Sequence, residues 1–444
     1  MLFILTATGC KKLVQVDEPD DTLSTNTVFS NDSLAQAAVT GLYIKIMNST
    51  KFLLNGGMSL FPGLSADELV RTTPLNNEDQ FSSNTIISSN QLVNVNLWKA
   101  AYAYIYQCNI SIEGLRKSTG VTAEIKKRLL GEVQFVRALC YYYLVNLYGD
   151  VPLALSTNAD VNTLLARAPE VQVYKQIEAD LLAAFDALPG DRPNTAPTRY
   201  AAQALLARVY LHMKNWSKAE EMASAVINSG LFVLQTDLNT VFKSVSKEII
   251  FQWAPVAEKM NAAEGFIFIQ FNPGVRPTYS LTKSLLGAFE AGDLRRQHWV
   301  KASAANVFNY PYKYTIYQST SPTEYNVVLR LAEQYLVRAE ALARQSRIAE
   351  AVADINMIRS RAQLPGISTA INIDECFQAI EQERRVELFA EWGHRWFDLK
   401  RTNRADAVLS IAKGNNWHSN DQLYPIPFSE LETAPNLKQN PGYE

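Results

Sequence analysis

Residues that carry conspicuous chemistry are scarce in this chain. Four cysteines in 444 residues, none at CxxC spacing, supply neither a disulfide framework nor a thiolate zinc site. Cys108, Cys140 and Cys376 fall in helical, largely apolar patterns and read as buried thiols. The four histidines, His212, His298, His394 and His418, lie scattered with no ligand-spaced partner, so no metal is expected. GxSxG, HExxH, GxxxxGK[ST] and GxGxxG are all missing, and with them the short signatures of serine hydrolases, zinc proteases and nucleotide binders. No cofactor is expected. Charged residues make up only 19%, 42 basic against 44 acidic, for a net charge of −2. No basic stripe or arginine-rich arm stands out, which argues against nucleic acid as a partner. Beyond the N-terminus no apolar run reaches the about 18 residues that a membrane-spanning helix needs.

What the chain does have is apolar bulk and helical periodicity. Hydrophobic residues are 47% of the total, ample for a large core. MLFILTATGCKK opens on a short apolar run that ends in small residues at Cys10, and it looks like a bacterial lipobox. On that reading residues 1–10 are a lipoprotein signal, Cys10 is acylated, and the polar, acidic residues 11–30 are an extended leader. Acyl chains contribute about 0.8 kcal/mol per buried methylene, enough in combination to hold a protein at a membrane.

From residue 31 the pattern predicts one mostly α domain to residue 444. Helices are expected over Leu34–Met47, Trp98–Leu115, Glu124–Tyr148 and Val171–Leu188. Two helix pairs follow, Arg199–Met213 with Trp216–Ser229, and Val327–Arg344 with Ile348–Arg361. Small residues alternate with large ones in each, as in a tetratricopeptide repeat. About four such pairs, the earlier two degenerate, should stack as one scaffold. Two segments break the helical pattern, one near 61–97 and a loop-rich insertion at 231–320 with short β-strands such as EIIFQWA. Ligands bind at decorations of this kind on rigid scaffolds. Aromatic rings can cover the apolar faces of sugars while polar side chains bond their hydroxyls. Phe81, Asn84, Phe266, Tyr279 and Trp299 are the candidates, although a core role competes for each. Consecutive Tyr141, Tyr142 and Tyr143 point in three directions on a helix and read as core.

The densest pattern is Glu381–Arg401, EQERRVELFAEWGHRWFDLKR. Wound as one helix, it puts Leu388, Phe389, Trp392, Trp396 and Phe397 on one face and charged groups on the other. Arg384, Glu387, Glu391, Arg395 and Asp398 read as an ion-pair network. Arg385 falls in the apolar arc, so it needs a buried acceptor or must snorkel. Two carboxylates side by side on one helix do not flank a substrate as glycoside hydrolysis requires, so a network is favoured over a catalytic site.

That stretch closely resembles the signature helix of the SusD/RagB family, surface lipoproteins that capture nutrients for Bacteroidetes. Further blocks agree in order: Ser65-Ala66-Asp67-Glu68, the W-x-x-x-Y-x-x-I-x-x-x-N run from Trp98 to Asn109, GEVQFVRALCYYYLVNLYGDVPL, Asp293 with Arg295 in GDLRRQHWV, and the tail LYPIPFSELETAPNLKQNPGY. The resemblance implies a tetratricopeptide-containing lipoprotein on the outer face of the outer membrane. It implies a non-enzymatic lid on a TonB-dependent, SusC-like transporter, delivering oligosaccharide or polysaccharide cargo. Rival readings are capture of peptide or glycoprotein of the RagB type, a tetratricopeptide interaction scaffold without small ligand, and a surface glycosidase.

Overall fold

Capping residues set where the helices begin, and small residues set how closely they pack. The computed structural model describes residues 25–272, 274–304 and 307–443. The acylation expected at Cys10 and the leader up to residue 24 lie outside the described residues, while the end of the expected leader is not extended: Thr25–Val28 is a short helix and Phe29 is buried in the core. Asn31 accepts a hydrogen bond from Leu34 N at 3.0 Å and starts α1 (Asp32–Met47). There follow α2 (Ala100–Lys117), α3 (Ala123–Tyr148), α4 (Glu170–Ala187), α5 (Arg199–His212) and α6 (Trp216–Asn228). After the insertion come α7 (Leu331–Arg344), α8 (Ile348–Arg361) and α9 (Ile373–Glu387). From α2 to α9 each helix packs on the next, and α5 with α6 and α7 with α8 form the two expected pairs. Fully buried Ala201, Ala204, Ala207, Ala219 and Ala223 let α5 and α6 approach closely. Tyr141, Tyr142 and Tyr143 are core residues, and Cys108, Cys140 and Cys376 are free and buried. Among the described residues no helix is long and apolar enough to cross a membrane.

Three further segments depart from the sequence reading. Residues 61–97 are more ordered than their Ser, Asn and Pro content suggests. They hold much of a helix over Gly57–Ser65, strand β1 (Leu69–Arg71), a helix over Asn76–Ser83 and a π-helical turn over Leu92–Lys99. Phe61, Leu64, Phe81, Val93 and Leu97 are buried, and that burial overrides the local breaker signals. Within the insertion, β2 (Ile249–Trp253), β3 (Tyr279–Leu281), β4 (Val300–Ala302) and β5 (Asn309–Pro311) precede β6 (Asn326–Arg330). The β6 stretch begins where a helix was expected at Val327. Instead it pairs antiparallel with β2, from Ile249 opposite Arg330 to Trp253 opposite Asn326. β1 pairs with β3 and β4 with β5, both antiparallel.

The third departure is in the signature stretch, which is two helices and not one. α9 ends at Glu387, and α10 (His394–Arg401) starts after a turn in which Ala390, Trp392 and Gly393 have φ of 53°, 47° and 72°. Contacts from outside hold this turn open. Ala390 N donates to Glu68 Oε2 at 3.4 Å, Trp392 N to Ser59 Oγ at 3.1 Å, and Trp392 Nε1 to the Val327 carbonyl at 2.6 Å.

Candidate ligand-binding site

A buried ion network fixes the insertion to the repeats. Glu387 accepts from Arg330 Nη1 at 2.6 Å, from Arg295 Nη1 at 3.1 Å and from Arg361 Nη2. Glu248 joins Arg330 and Arg361 at 3.0 and 2.8 Å. Glu391 takes Arg330 Nε at 2.8 Å and the Lys313 ammonium. Arg295 also bonds Asp293, through Nη2 at 2.9 Å, and Glu383. Burial alone would raise the Glu387 carboxyl, but Arg361, Arg330 and Arg295 outweigh it and hold the group well below the ordinary range. Burial likewise pushes Lys313 down to about 8 despite Glu391.

Two further clusters flank this one. Arg384 binds Asp398 at 2.7 and 3.1 Å, and Arg401 bridges Asp398 to Glu340 of α7. Asp67 accepts from Arg395 Nε at 2.8 Å and from Arg385 Nη2 at 2.6 Å, so Asp67 is the buried acceptor that Arg385 needs.

On this frame the insertion presents an aromatic cavity of about 330 Å³. Phe266, half-buried at the end of a short helix over Ala263–Phe268, stacks on Tyr317 with centroids 4.9 Å apart and planes 25° apart. Phe271 packs edge-on against Tyr317 at 5.5 Å and is 80% exposed. A singly exposed apolar side chain is ordinary on a protein surface; what sets Phe271 apart is that it joins the Phe266 and Tyr317 rings in lining one cavity. Gln270, Asn272, Arg276, Lys51 and Tyr279 complete the polar lining. The β1–β3 register sets Arg71 opposite Tyr279. Lys51 Nζ then donates to Tyr279 Oη at 2.9 Å and to Glu78 Oε1 at 2.8 Å, while Tyr279 Oη donates to Glu78 Oε2 at 2.7 Å. Arg276 lies over the Phe308 ring at 4.5 Å. Rings beside fixed donors suit a ligand with apolar faces and many hydroxyls.

Of the ligand candidates singled out from sequence, only Phe266 and Tyr279 line this cavity, and Tyr279 is itself 1% exposed, with Lys51 and Arg71 over its ring. Phe81 is fully buried, stacked on Phe61 at 4.7 Å and edge-on to Tyr424 at 5.4 Å. Trp299 is closed in the core, its Nε1 donating to the Leu238 carbonyl at 3.0 Å and Lys313 lying 4.8 Å from its ring. Asn84 is buried at the left-handed C-cap of the Asn76–Ser83 helix, with φ 57°. A side chain closed off from solvent offers nothing to a ligand, so Phe81, Asn84 and Trp299 are corrected to structural positions. Phe271, Tyr317, Lys51 and Arg276 line the same cavity and are not among the sequence candidates. The aromatic enrichment of 231–320 pointed to the segment, but nothing local distinguishes an outward ring from an inward one.

Comparison with known proteins agrees across most of the chain. Residues 299–443 match the family model described as "SusD family", and residues 24–211 match that described as "Starch-binding associating with outer membrane". The "SusD-like protein P2" of Formosa agariphila is 27% identical over 514 residues, covering 100% of this chain and 98% of its own. A SusD superfamily protein from Bacteroides vulgatus superposes with a TM-score of 0.81 at 22% identity, covering 94% of this chain and 100% of its own. A laminarin binding SusD-like protein gives 0.77 at 24% identity, covering 93% and 100%.

Proposed function

This chain belongs to the SusD family, and from that premise we propose that it captures glycan without turning it over, at the aromatic cavity of the insertion. The observation that carries the reading is the exposed Phe271 ring beside stacked Phe266 and Tyr317, within reach of Lys51, Gln270 and Arg276. The family description and the laminarin-binding relative support a sugar as cargo. The protein is anchored through acylated Cys10 at the cell surface of the outer membrane. Its helical scaffold contacts a TonB-dependent, SusC-like transporter, to which the oligosaccharide is delivered. Engagement of the signature carboxylates supports a non-catalytic role: Glu387 and Glu391 are buried and bound to arginine and lysine, so neither faces a substrate.

The test is affinity gel electrophoresis of the chain lacking residues 1–10 against a polysaccharide panel, with product analysis alongside. One or more glycans should retard the protein without release of reducing ends. Phe271→Ala should weaken that binding roughly tenfold, since the lost ring contact is worth on the order of 1.4 kcal/mol. Unchanged binding in the variant would remove this cavity from the reading. Turnover would overturn the non-enzymatic role, and binding of peptides alone would move the cargo to the RagB type.

A further inference from the structure

Six arginines surround a second cavity, of about 370 Å³, that shares no lining residue with the aromatic one. It lies among α7, α9 and α10 and the residues just after α10. Arg344, Arg384, Arg385, Arg395, Arg401 and Arg404 line it against four carboxylates, Glu340, Asp374, Glu381 and Asp398. The walls therefore carry two more positive than negative groups. Asp67, bonded to Arg385 and Arg395 from outside the lining, reduces that excess to one.

The donors are unevenly used. Arg401 spends its three nitrogens on Asp398 and Glu340, and Arg395 spends its three on Asp67 and Glu381. Arg384 is different. Its side chain is 4% exposed, Nε and Nη2 go to Asp398, and Nη1 has no partner. Nε of Arg385 is buried and unpartnered as well. At the rim, Arg344 and Arg404 each stand 3.8 Å from a carboxylate oxygen, too far for a hydrogen bond, with side chains 34% and 50% exposed. Arg344 lies over the Phe377 ring at 4.1 Å, which holds its guanidinium plane in place. A buried guanidinium N–H without an acceptor is costly, and two loosely paired guanidinium groups that line the same cavity are donors of the kind that suit an oxyanion. The volume suits a small molecule and exceeds what a lone ion needs.

We propose that this cavity binds a small molecule bearing an oxyanion, a carboxylate or a sulfate, with Arg384 donating from the wall and Arg344 and Arg404 from the rim. Nothing in this depends on the glycan reading of the aromatic face.

Isothermal titration of the full chain at constant ionic strength tests it, with glucuronate, glucose 6-sulfate and uncharged glucose as probes. At least one anionic sugar should bind saturably and glucose should not. Arg344→Gln/Arg404→Gln, changed at half-exposed positions that folding tolerates, should weaken binding at least roughly fivefold. Phe271→Ala should leave it intact. Response to glucuronate alone assigns a carboxylate site, response to the sulfate alone a sulfate site, and response to both a site for either anion. No saturable binding of either anion, equal binding of glucose, or an unchanged affinity in the double variant overturns the proposal. Loss in Phe271→Ala with retention in the arginine variant would place the anion at the aromatic face and overturn it equally.

Discussion

Glu68 and Arg385 show what a single side chain experiences once the chain has folded. Glu68 is 1% exposed, and only its Oε2 has a partner, the Ala390 N–H. Burial, with the charge of Asp67 behind it, pushes its carboxyl from 4.5 up to about 8. The folded state thus holds a proton that the unfolded chain releases above 4.5. This group therefore weakens folding progressively as pH rises from about 4.5 to about 8, and the loss is complete above that. His212 and His394, held well below their ordinary range first by burial, oppose the trend on the acid side. A difference between variants isolates the glutamate. Glu68→Gln should be more stable than the parent by on the order of 1–3 kcal/mol at pH 8.5, with the gap closing toward pH 5, read by urea unfolding across that range. A gap independent of pH would show that Glu68 does not hold a proton in the fold. The position of Glu68 in a family-like motif was legible from sequence, but its burial was not. For Arg385 the need for an acceptor was legible from its helical angle. The identity of that acceptor was not, because Asp67 lies 318 residues away along the chain and only the fold brings it near.

At the scale of elements, helices were the legible part because their period is local. α3, α4, α7 and α8 begin and end within a few residues of the expected bounds, α7 apart from its strand-like start. The breaks were not legible where distant groups impose them. Glu381–Arg401 has an uninterrupted helical pattern, yet Ser59, Glu68 and Val327 recruit the Ala390 and Trp392 N–H groups and the Trp392 indole. Gly393 is the one residue of the turn whose identity follows from its place. Its φ is 72°, and an added Cβ would lie 2.8 Å from Pro62 Cβ and 3.1 Å from the Met58 carbonyl oxygen. Gly393→Ala combines a left-handed strain of about 1 kcal/mol with overpacking of about 1–3 kcal/mol. Thermal and urea unfolding should place the variant roughly 2–4 kcal/mol below the parent. A variant as stable as the parent would mean that the turn relaxes toward a continuous helix, and a crystal structure of that variant would show it. The aromatic cavity belongs to this scale too. Phe266, Phe271 and Tyr317 converge through the geometry of irregular chain, for which no period exists to be read.

Across the whole molecule, Glu387 is where three segments far apart in the sequence meet. Arg295 comes from the insertion, Arg330 from the end of β6 and Arg361 from the end of α8. The insertion therefore does not ride on the repeats as an independent module, because its charge is neutralised by α9 and that of α8 by the same carboxylate. Glu387→Gln leaves three buried guanidinium groups sharing fewer anions, in a place water does not reach. Removing one member of a buried ion cluster destabilises by about 3–5 kcal/mol. If the described residues fold as one cooperative unit, the loss should appear everywhere together. Far-UV circular dichroism, which follows the helices, and tryptophan fluorescence, which follows the aromatic core around Trp299 and Trp392, should shift to the same lower urea midpoint. Two separated transitions, with the helical repeats keeping the parental midpoint, would mean that the insertion folds on its own. An unchanged midpoint by both probes would mean that the remaining carboxylates Glu248, Glu383 and Glu391 compensate for Glu387, and that the cluster, not this one residue, joins the segments.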